Sequence, residues 1–301
     1  MKLRFWQERR WFPERRPQLA CEFSSGQVAA AHRNESGTID KLATRAWEPG
    51  TLVPDLSAAN LAGRELVRQA LQEALAAVNG ARREVAVVVP DACCRLALLD
   101  VDVLPEKKED AEALVRHRLK RALPFDVEKA AVQWQAQQAN GKSYLLAAAA
   151  LRTVMEEYES VVREAGYRPG LVLPATLAAL RLVDAAQTTL LVTLEPETMS
   201  IVIVHQGAVV LVRVLNRIAE GPAARTKMTE AIYPSLTFFE DTYGGKVERV
   251  LIGGAGRGDE LRAVVEELTG VRSQELTSTA PLLATDARAA AELGALCGSL
   301  A

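Results

Sequence analysis

The sequence lacks a basic excess, long apolar runs and many aromatic side chains. Its 301 residues carry 36 lysines and arginines against 38 aspartates and glutamates, a net charge of −2. A dedicated nucleic-acid-binding protein normally has a clear basic excess, so we expect no nucleic-acid partner. The longest apolar run, Tyr144 to Leu151, is far shorter than the roughly 20 residues that span a bilayer. Because the charged N-terminus also lacks the apolar segment of a secretory signal, a cytoplasmic protein is expected.

Metal-binding patterns are missing too. The four cysteines include no CxxC pair, and the three histidines lie far apart without HExxH spacing. A zinc hydrolase is therefore unsupported, and the cysteines are expected to be small buried apolar residues. Hydrophobic residues make up 49% of the chain, which is enough for real cores, and the length suggests about two domains.

Residues 1–17 form a basic and aromatic tail. Its six lysines and arginines face two glutamates, and it contains two of the protein's four tryptophans. Rings at the headgroup level and cations on anionic lipid are what an interfacial membrane contact requires. The candidate residues for such a contact are Arg4, Trp6, Arg9, Arg10 and Trp11. The alternative is a flexible tail whose rings pack on the body of the protein.

The apolar pattern predicts the same plan in both halves of the chain. In the first half, strands between Gln18 and Trp47 precede a helix from Leu61 to Val78 and a continuous apolar strand, Val85–Val89. In the second half, three strands between Thr188 and Leu215 precede a helix, a strand and a glycine-rich turn. Two similar lobes with a cleft between them are therefore predicted.

Residues 91–167 have the order strand, helix, strand, strand, helix, which predicts a compact α+β module inserted between these halves. Its middle strands are joined by Asn140-Gly141, a strong signal for a tight hairpin. With Lys142 and Ser143 these residues resemble the end of a phosphate-binding P-loop, but that loop would have to open a helix. We interpret the segment as a hairpin turn.

Three turns are candidates for contact with a phosphate. The residues are Glu22, Ser24, Ser25 and Gly26 in the first turn, Thr193 and Glu195 in the second, and Gly253, Gly254 and Ala255 in the third. The third turn joins a strand to a helix, where backbone N–H groups can cradle a phosphate, although a tight turn that needs small residues explains it equally well. The second turn is unsuited to phosphate, because its glutamates add negative charge and Pro196 removes a donor.

The stretch from Leu104 to Val127 predicts a charged helix, from Glu106 to Leu123, that ends before Pro124-Phe125. One face is apolar, and the other carries Arg116, Arg118, Lys120 and Arg121. Taken alone, that basic face is typical of a solvated helix surface.

The order of these motifs resembles the type IV pilus assembly protein PilM family. The resemblance is carried by the valine-rich strand ending in Pro90-Asp91, by Arg95 in the next strand, and by an Arg-rich helix ending in Leu-Pro-Phe-Asp. Further on, Ser235 to Phe239, Leu251 to Ala255 and an alanine-rich C-terminal segment are similar in the same order. The resemblance covers nearly the whole chain, although its Gly-Gly-Ala is shared by all actin-like ATPases.

The resemblance implies an α/β fold that is actin-like (ribonuclease H-like) and two-lobed, with an inserted α+β subdomain and a reduced small subdomain in the second lobe. The implied first-lobe core comprises residues 18–90 and 168–187, the inserted subdomain residues 91–167, and the second-lobe core residues 188–301.

It also implies a cytoplasmic scaffold at the inner face of the cytoplasmic membrane, which captures the cytoplasmic tail of a PilN-like inner-membrane protein and self-associates in a ring. In that family the tail lies in a groove beside the inserted subdomain. The candidate groove residues are Arg95, Arg116, Arg118, Arg121, Pro124 and Phe125. Capture of an extended peptide needs only a groove, an apolar pocket and a few backbone hydrogen bonds.

The chain departs from the family at the nucleotide site. The family's aspartate-glycine phosphate turns are replaced by Glu22 and Ser24 in the first lobe and by Thr193 and Glu195 in the second. We therefore expect no cofactor, at most weak binding of ATP and Mg²⁺, and no meaningful hydrolysis. One alternative is an active actin-like ATPase or sugar-kinase relative, which requires a catalytic aspartate that neither turn supplies. The other is a GspL-like secretion component, which normally carries a transmembrane helix in the same chain.

Overall fold

The computed structural model describes residues 17–78, 82–216, 223–254, 258–276 and 294–300. The strands are β1 (Leu19–Phe23), β2 (Gln27–Arg33), β3 (Ile39–Ala46), β4 (Glu84–Val89), β5 (Arg95–Val101), β6 (Ala130–Ala139), β7 (Lys142–Leu151), β8 (Arg168–Pro174), β9 (Thr189–Leu194), β10 (Thr198–His205), β11 (Ala208–Asn216), β12 (Arg249–Gly254) and β13 (Ser273–Glu275). The helices are α1 (Arg64–Val78), α2 (Lys108–Leu119), α3 (Arg152–Glu164), α4 (Ala175–Ala179), α5 (Ala224–Tyr243), α6 (Gly258–Thr269) and α7 (Gly294–Leu300). Among these helices, none has both the length and the apolar composition needed to cross a bilayer. The tail candidates Arg4, Trp6, Arg9, Arg10 and Trp11 lie outside the described residues, as does Ala255.

Two five-stranded sheets share one topology. The strand order is β3-β2-β1-β4-β8 in the first sheet and β11-β10-β9-β12-β13 in the second. In each sheet, three consecutive strands form an antiparallel meander, and the other two strands run parallel to the first strand of that meander. Each parallel strand follows a helix, as a crossover connection requires. The repeated α/β plan predicted from the sequence is confirmed.

The inserted residues form an antiparallel sheet of order β5-β7-β6, and α2 packs on one of its faces. Asn140 and Gly141 have φ angles of 50° and 74°, the left-handed conformations that a two-residue hairpin requires. The hairpin prediction is confirmed. The α2 helix is shorter than predicted, because the chain leaves it in a turn closed by a 2.8 Å hydrogen bond from Ala122 N–H to the Leu119 carbonyl. That turn precedes Pro124, which disfavours a helical conformation in the residue before it.

Small residues allow the two lobes to pack closely around α4 and α7. One face of the first sheet presents alanines to the core between the lobes, namely Ala20, Ala29, Ala31 and Ala86. The α7 helix packs on this face and on α4. A Cβ atom at Gly298 of α7 would lie 2.1 Å from the Ala178 carbonyl oxygen of α4, so this approach requires glycine. The opposite face of the sheet carries larger side chains and packs against α1 and α3.

The inserted subdomain also contacts the second lobe. The Gln137 side-chain amide on β6 donates to the Val209 carbonyl oxygen at 3.1 Å and accepts from the Val209 backbone N–H at 3.0 Å. The phenol oxygens of Tyr144 and Tyr243 lie 2.8 Å apart. These three hydrogen bonds hold β6 and β7 of the inserted subdomain against the second lobe.

Candidate functional site

The turns predicted to face a phosphate meet at the cleft between the lobes. The cavity there is lined by residues of all three turns, including Glu22, Ser24, Thr193, Glu195, Gly253 and Gly254. Its volume is about 70 Å³, and none of the described residues that line it is basic. Ligand sites usually enclose roughly 300–1,000 Å³, so this cavity is small as well as acidic.

Two residues of the first turn, Ser25 and Gly26, make hydrogen bonds that stabilise the fold. The Ser25 carbonyl oxygen accepts a 2.6 Å hydrogen bond from the Trp47 indole, and the Gly26 carbonyl oxygen accepts one of 3.0 Å from the Trp47 backbone N–H. These bonds tie the first turn to the end of β3.

Asp91, which was not predicted as a site residue, joins the two lobes. It follows β4 and is 1% exposed. Its carboxylate accepts hydrogen bonds from the Thr176 backbone N–H at 3.0 Å, from the Thr176 hydroxyl, and from the Ser200 hydroxyl at 2.9 Å. Thr176 belongs to the first lobe and Ser200 to the second. One sequence signal was available, since functional side chains often lie just after the carboxyl end of a parallel strand.

Glu195 makes a second link across the cleft. Its Oε2 atom accepts a 2.9 Å hydrogen bond from the Asp91 backbone N–H and another of 2.9 Å from the Thr198 hydroxyl. The second turn therefore supplies an acceptor to the residue that follows β4 and Pro90, where a phosphate-binding turn would supply donors.

Burial raises the pKa of all three cleft carboxyl groups. The pKa of Glu22 rises to about 8 through desolvation and the charge of Asp91, opposed by a 2.8 Å hydrogen bond from Leu296 N–H of α7. Desolvation likewise raises the pKa of Asp91, against the hydrogen bonds from Thr176 and Ser200. The pKa of Glu195 is raised well above its usual value by burial and then by repulsion from Asp91. Near neutral pH this environment favours the protonated form of Glu22.

The Thr193 hydroxyl in the cavity wall has no hydrogen-bond partner among the described residues, although Thr193 is only 9% exposed. The described residues contain no cluster of three or more side chains placed to hold a metal ion.

Packing requires Gly254 and restricts Gly253 at the end of β12. Gly254 has a φ angle of 96°, and a Cβ atom there would lie 1.8 Å from the Leu194 carbonyl oxygen of β9. A Cβ atom at Gly253 would lie 3.0 Å from a methyl group of Leu276. The close approach of β9 and β12 thus accounts for Gly254 without a ligand, and the side chain of Leu276 leaves little room for a larger residue at Gly253.

Three of the four arginines predicted for the peptide groove, Arg116, Arg118 and Arg121, lie on α2 and in the turn that follows it. Arg116 donates to Glu112 at 3.2 Å and to the Val127 carbonyl oxygen at 3.0 Å, so it fastens α2 to the chain after it. Arg118 and Arg121 are exposed.

The other three predicted groove residues have different surroundings. Pro124 is exposed, whereas Phe125 packs against the core under α2. Arg95 lies on β5 and lines a depression between that strand and β11. Of the six residues, only Arg95 is among those that line this depression.

A groove does lie beside the inserted subdomain, between β8 and β6. It encloses about 460 Å³ and is lined by residues Pro169 to Pro174 of β8, by Trp134 of β6, by Ala148 to Ala150 of β7 and by Met155. Both β8 and β6 are edge strands of their sheets. An edge strand offers a row of backbone donors and acceptors to an added strand. None of the six predicted residues is among those that line this groove.

No family model and no curated protein sequence matches this chain. Among solved structures, the chain is similar to one from a PilM–PilN type IV pilus biogenesis complex, with a TM-score of 0.75 and 18% identity over 94% of this chain and 98% of that one. It is also similar to a Bacteroides thetaiotaomicron protein with an actin-like ATPase fold and unknown function, with a TM-score of 0.55 and 9% identity over 94% of each chain. A third similar structure is the cytoplasmic domain of EpsL, an inner membrane component of the Vibrio cholerae type II secretion system (TM-score 0.52, 11% identity, 86% of this chain and 97% of that one). At these identities the likeness concerns the fold, and the chain has the actin-like fold that its motifs implied.

Proposed function

We propose that this protein is a scaffold of a type IV pilus or related secretion platform, and that it binds the cytoplasmic tail of a PilN-like inner-membrane protein. The main support for this proposal is the groove between β8 and β6. The fold that contains the groove is similar to that of a chain from a PilM–PilN complex. In this proposal the protein works at the inner face of the cytoplasmic membrane, residues 1–16 contact lipid, and copies associate in a ring.

The groove suits a short extended peptide. Its wall is largely apolar and includes Trp134, Met155 and Leu173, and an added strand would turn every second side chain towards it. Pro169 and Pro174 lack backbone N–H groups, so donation from β8 is confined to the residues between them. We expect a peptide with apolar side chains at every second position.

We also propose that the interlobe cleft does not bind ATP tightly and that the protein acts by binding a partner, without catalysis. A triphosphate in the cleft would lie beside Glu22 and Glu195. Among the described residues that line the cavity, no lysine, arginine or histidine is present to balance its negative charge. The hydrogen bonds of Asp91 and Glu195 instead connect the lobes directly.

Calorimetric titration with a synthetic peptide tests the peptide-binding proposal. The peptide carries the cytoplasmic tail sequence of a PilN-like protein from the same organism, and we expect micromolar affinity. Trp134→Ala removes the groove's aromatic side chain and should weaken binding by about 30-fold or more. Tyr233→Ala is the matched control, because Tyr233 is an exposed aromatic residue on α5, outside the groove.

Arg118→Glu decides between the groove and the basic face of α2. Loss of binding in Trp134→Ala, with binding kept in Arg118→Glu and Tyr233→Ala, would support the groove. The reverse pattern would place the peptide on α2 and overturn the groove assignment. No binding to a wild-type protein that circular dichroism shows to be folded would refute the proposed function.

A further inference from the structure

Four arginines stand side by side at one edge of the first sheet. Arg33 is the last residue of β2, and Arg168 is the first residue of β8. Arg82 and Arg83 come immediately before β4. The sheet fixes this order, because Arg33 N–H donates to the Gln18 carbonyl oxygen and Arg168 N–H donates to the Arg83 carbonyl oxygen, both at 2.8 Å. With strands about 4.8 Å apart, the row spans about 14 Å. We refer to these four residues as the arginine edge.

The arginine edge has no ion-pair partner among the described residues. Elsewhere, ion pairs with carboxylates hold Arg45, Arg64, Arg68, Arg116, Arg163, Arg225 and Arg262. In the arginine edge, Arg82, Arg83 and Arg168 are exposed, and the Arg33 Nε atom is buried without a hydrogen bond. The Arg83 guanidinium lies 5.1 Å from the centre of the Tyr167 ring. Glu84 is the acidic residue next to Arg83, and its carboxylate lies against Gly170.

The basic tail joins the fold at this same edge. Leu19 pairs with His32 of β2 on one side and with Val85 of β4 on the other. The chain therefore enters the sheet between the strands that carry Arg33 and Arg83. Residues 1–16, which precede this point, contain six basic residues, two acidic residues and four aromatic rings. Two positively charged parts of the protein are thus directly connected.

We propose that the arginine edge binds the surface of an anionic phospholipid membrane. This inference rests on the proposed function, in which the tail contacts lipid, and adds a surface of the folded protein to that contact. A membrane fits better than an acidic protein, because the aromatic rings of the adjoining tail need an apolar region behind the anionic groups. A row of arginines along a sheet edge also suits many equivalent headgroups spread over a plane.

This orientation brings the peptide groove close to the bilayer. Arg168 is followed directly by Pro169 and Gly170, which line the groove. A partner tail anchored in the membrane would therefore reach the groove without crossing the rest of the protein.

Co-sedimentation with lipid vesicles tests the proposal on the full chain. The vesicles contain phosphatidylcholine with or without phosphatidylglycerol, at low ionic strength. The edge variant combines Arg82→Gln, Arg83→Gln and Arg168→Gln, and the matched control combines Lys107→Gln, Lys108→Gln and Lys142→Gln. The control changes the net charge equally at exposed sites on the inserted subdomain. Each basic residue near an anionic surface strengthens binding by several-fold, so the edge variant should partition about 100-fold more weakly and the control should stay near the wild type.

Two further proteins separate the causes of a loss. The variant in which Arg82, Arg83 and Arg168 are all changed to lysine keeps the positive charge and should bind the vesicles like the wild type. If it does not bind, the charge of the arginine edge is not what binds the membrane, and the proposal is overturned. Equal losses in the edge and control variants would also overturn it. If deletion of residues 1–16 abolishes binding while the edge variant binds like the wild type, the arginine edge is excluded and the tail contact stands. If the wild type does not bind anionic vesicles, both membrane proposals fail. The peptide titration then still tests whether the protein binds the PilN-like tail.

Discussion

Replacing Glu22 by glutamine tests whether the cleft holds its carboxyl groups in an environment that disfavours their charge. Glutamine has nearly the same shape, and its oxygen can still accept the 2.8 Å hydrogen bond from Leu296 N–H. In the wild type, burial raises the pKa of Glu22 from its ordinary value of 4.5 to about 8. A carboxyl group whose pKa is raised by folding stabilises the protein fully below the pKa of the unfolded chain. That stability is lost as the pH rises through the pKa of the folded protein.

The size of the effect follows from the two pKa values. Between them, Glu22 ionises in the unfolded chain but stays protonated in the folded protein, which lowers the wild type's free energy of unfolding. The loss amounts to about 2 kcal/mol at pH 6 and about 4 kcal/mol at pH 8. Glutamine undergoes no such loss. The Glu22→Gln protein should therefore be more stable than the wild type by these amounts, and the difference should shrink as the pH falls towards 4.5.

Urea unfolding followed by circular dichroism between pH 5 and pH 8 measures this difference. Glu266→Gln is a control of opposite sign, because hydrogen bonds from Ser273 lower the pKa of Glu266. Its charged form is the stabilising one, so that variant should be less stable than the wild type at neutral pH and approach it in acid. A Glu22→Gln protein that is less stable than the wild type at pH 8, or whose difference does not change with pH, would refute the reasoning.

Two more predictions concern the same cleft. Calorimetry with ATP and Mg²⁺ should show no binding in the millimolar range or tighter, and hydrolysis should not exceed the background; turnover that disappears on changing Glu22 would contradict this. Gly254→Ala should lower the free energy of unfolding by about 3 kcal/mol or more, because its Cβ atom would meet the Leu194 carbonyl oxygen. Gly244→Ala is the control, since Gly244 is also left-handed but has open space around it, and it should cost about 1 kcal/mol. Equal losses in urea unfolding would show that the contact with Leu194 is not the cause.

The repeated topology could be predicted because it depends on local patterns. The Asn140-Gly141 turn, the alternating strands and the apolar run before Pro90 each give a signal within about ten residues. The start of α1 was predicted wrongly for a non-local reason. The helix predicted from Leu61 begins instead at Arg64, and Asn60, just before the predicted start, accepts hydrogen bonds from Cys93 and Tyr158 in a buried network.

The candidate sites depend on contacts that no local pattern encodes. The partners of Asp91 are Thr176 and Ser200, which lie 85 and 109 residues further along the chain. The groove was equally hidden, because β8 contains a glycine and two prolines and does not look like a strand. Such residues are tolerated at a sheet edge, which is where β8 lies. Charge patterning drew attention to α2, which contributes none of the residues that line this groove.

The hydrogen bonds of Gln137 connect the groove to the rest of the molecule. The strand β6 contributes Trp134 to one wall of the groove, and three residues later Gln137 fastens the same strand to Val209 of the second lobe. The opposite wall is β8, which belongs to the first lobe. A rotation of one lobe against the other must either break the Gln137 bonds or carry β6 with it. As long as those bonds hold, a change in the angle between the lobes also changes the width of the groove.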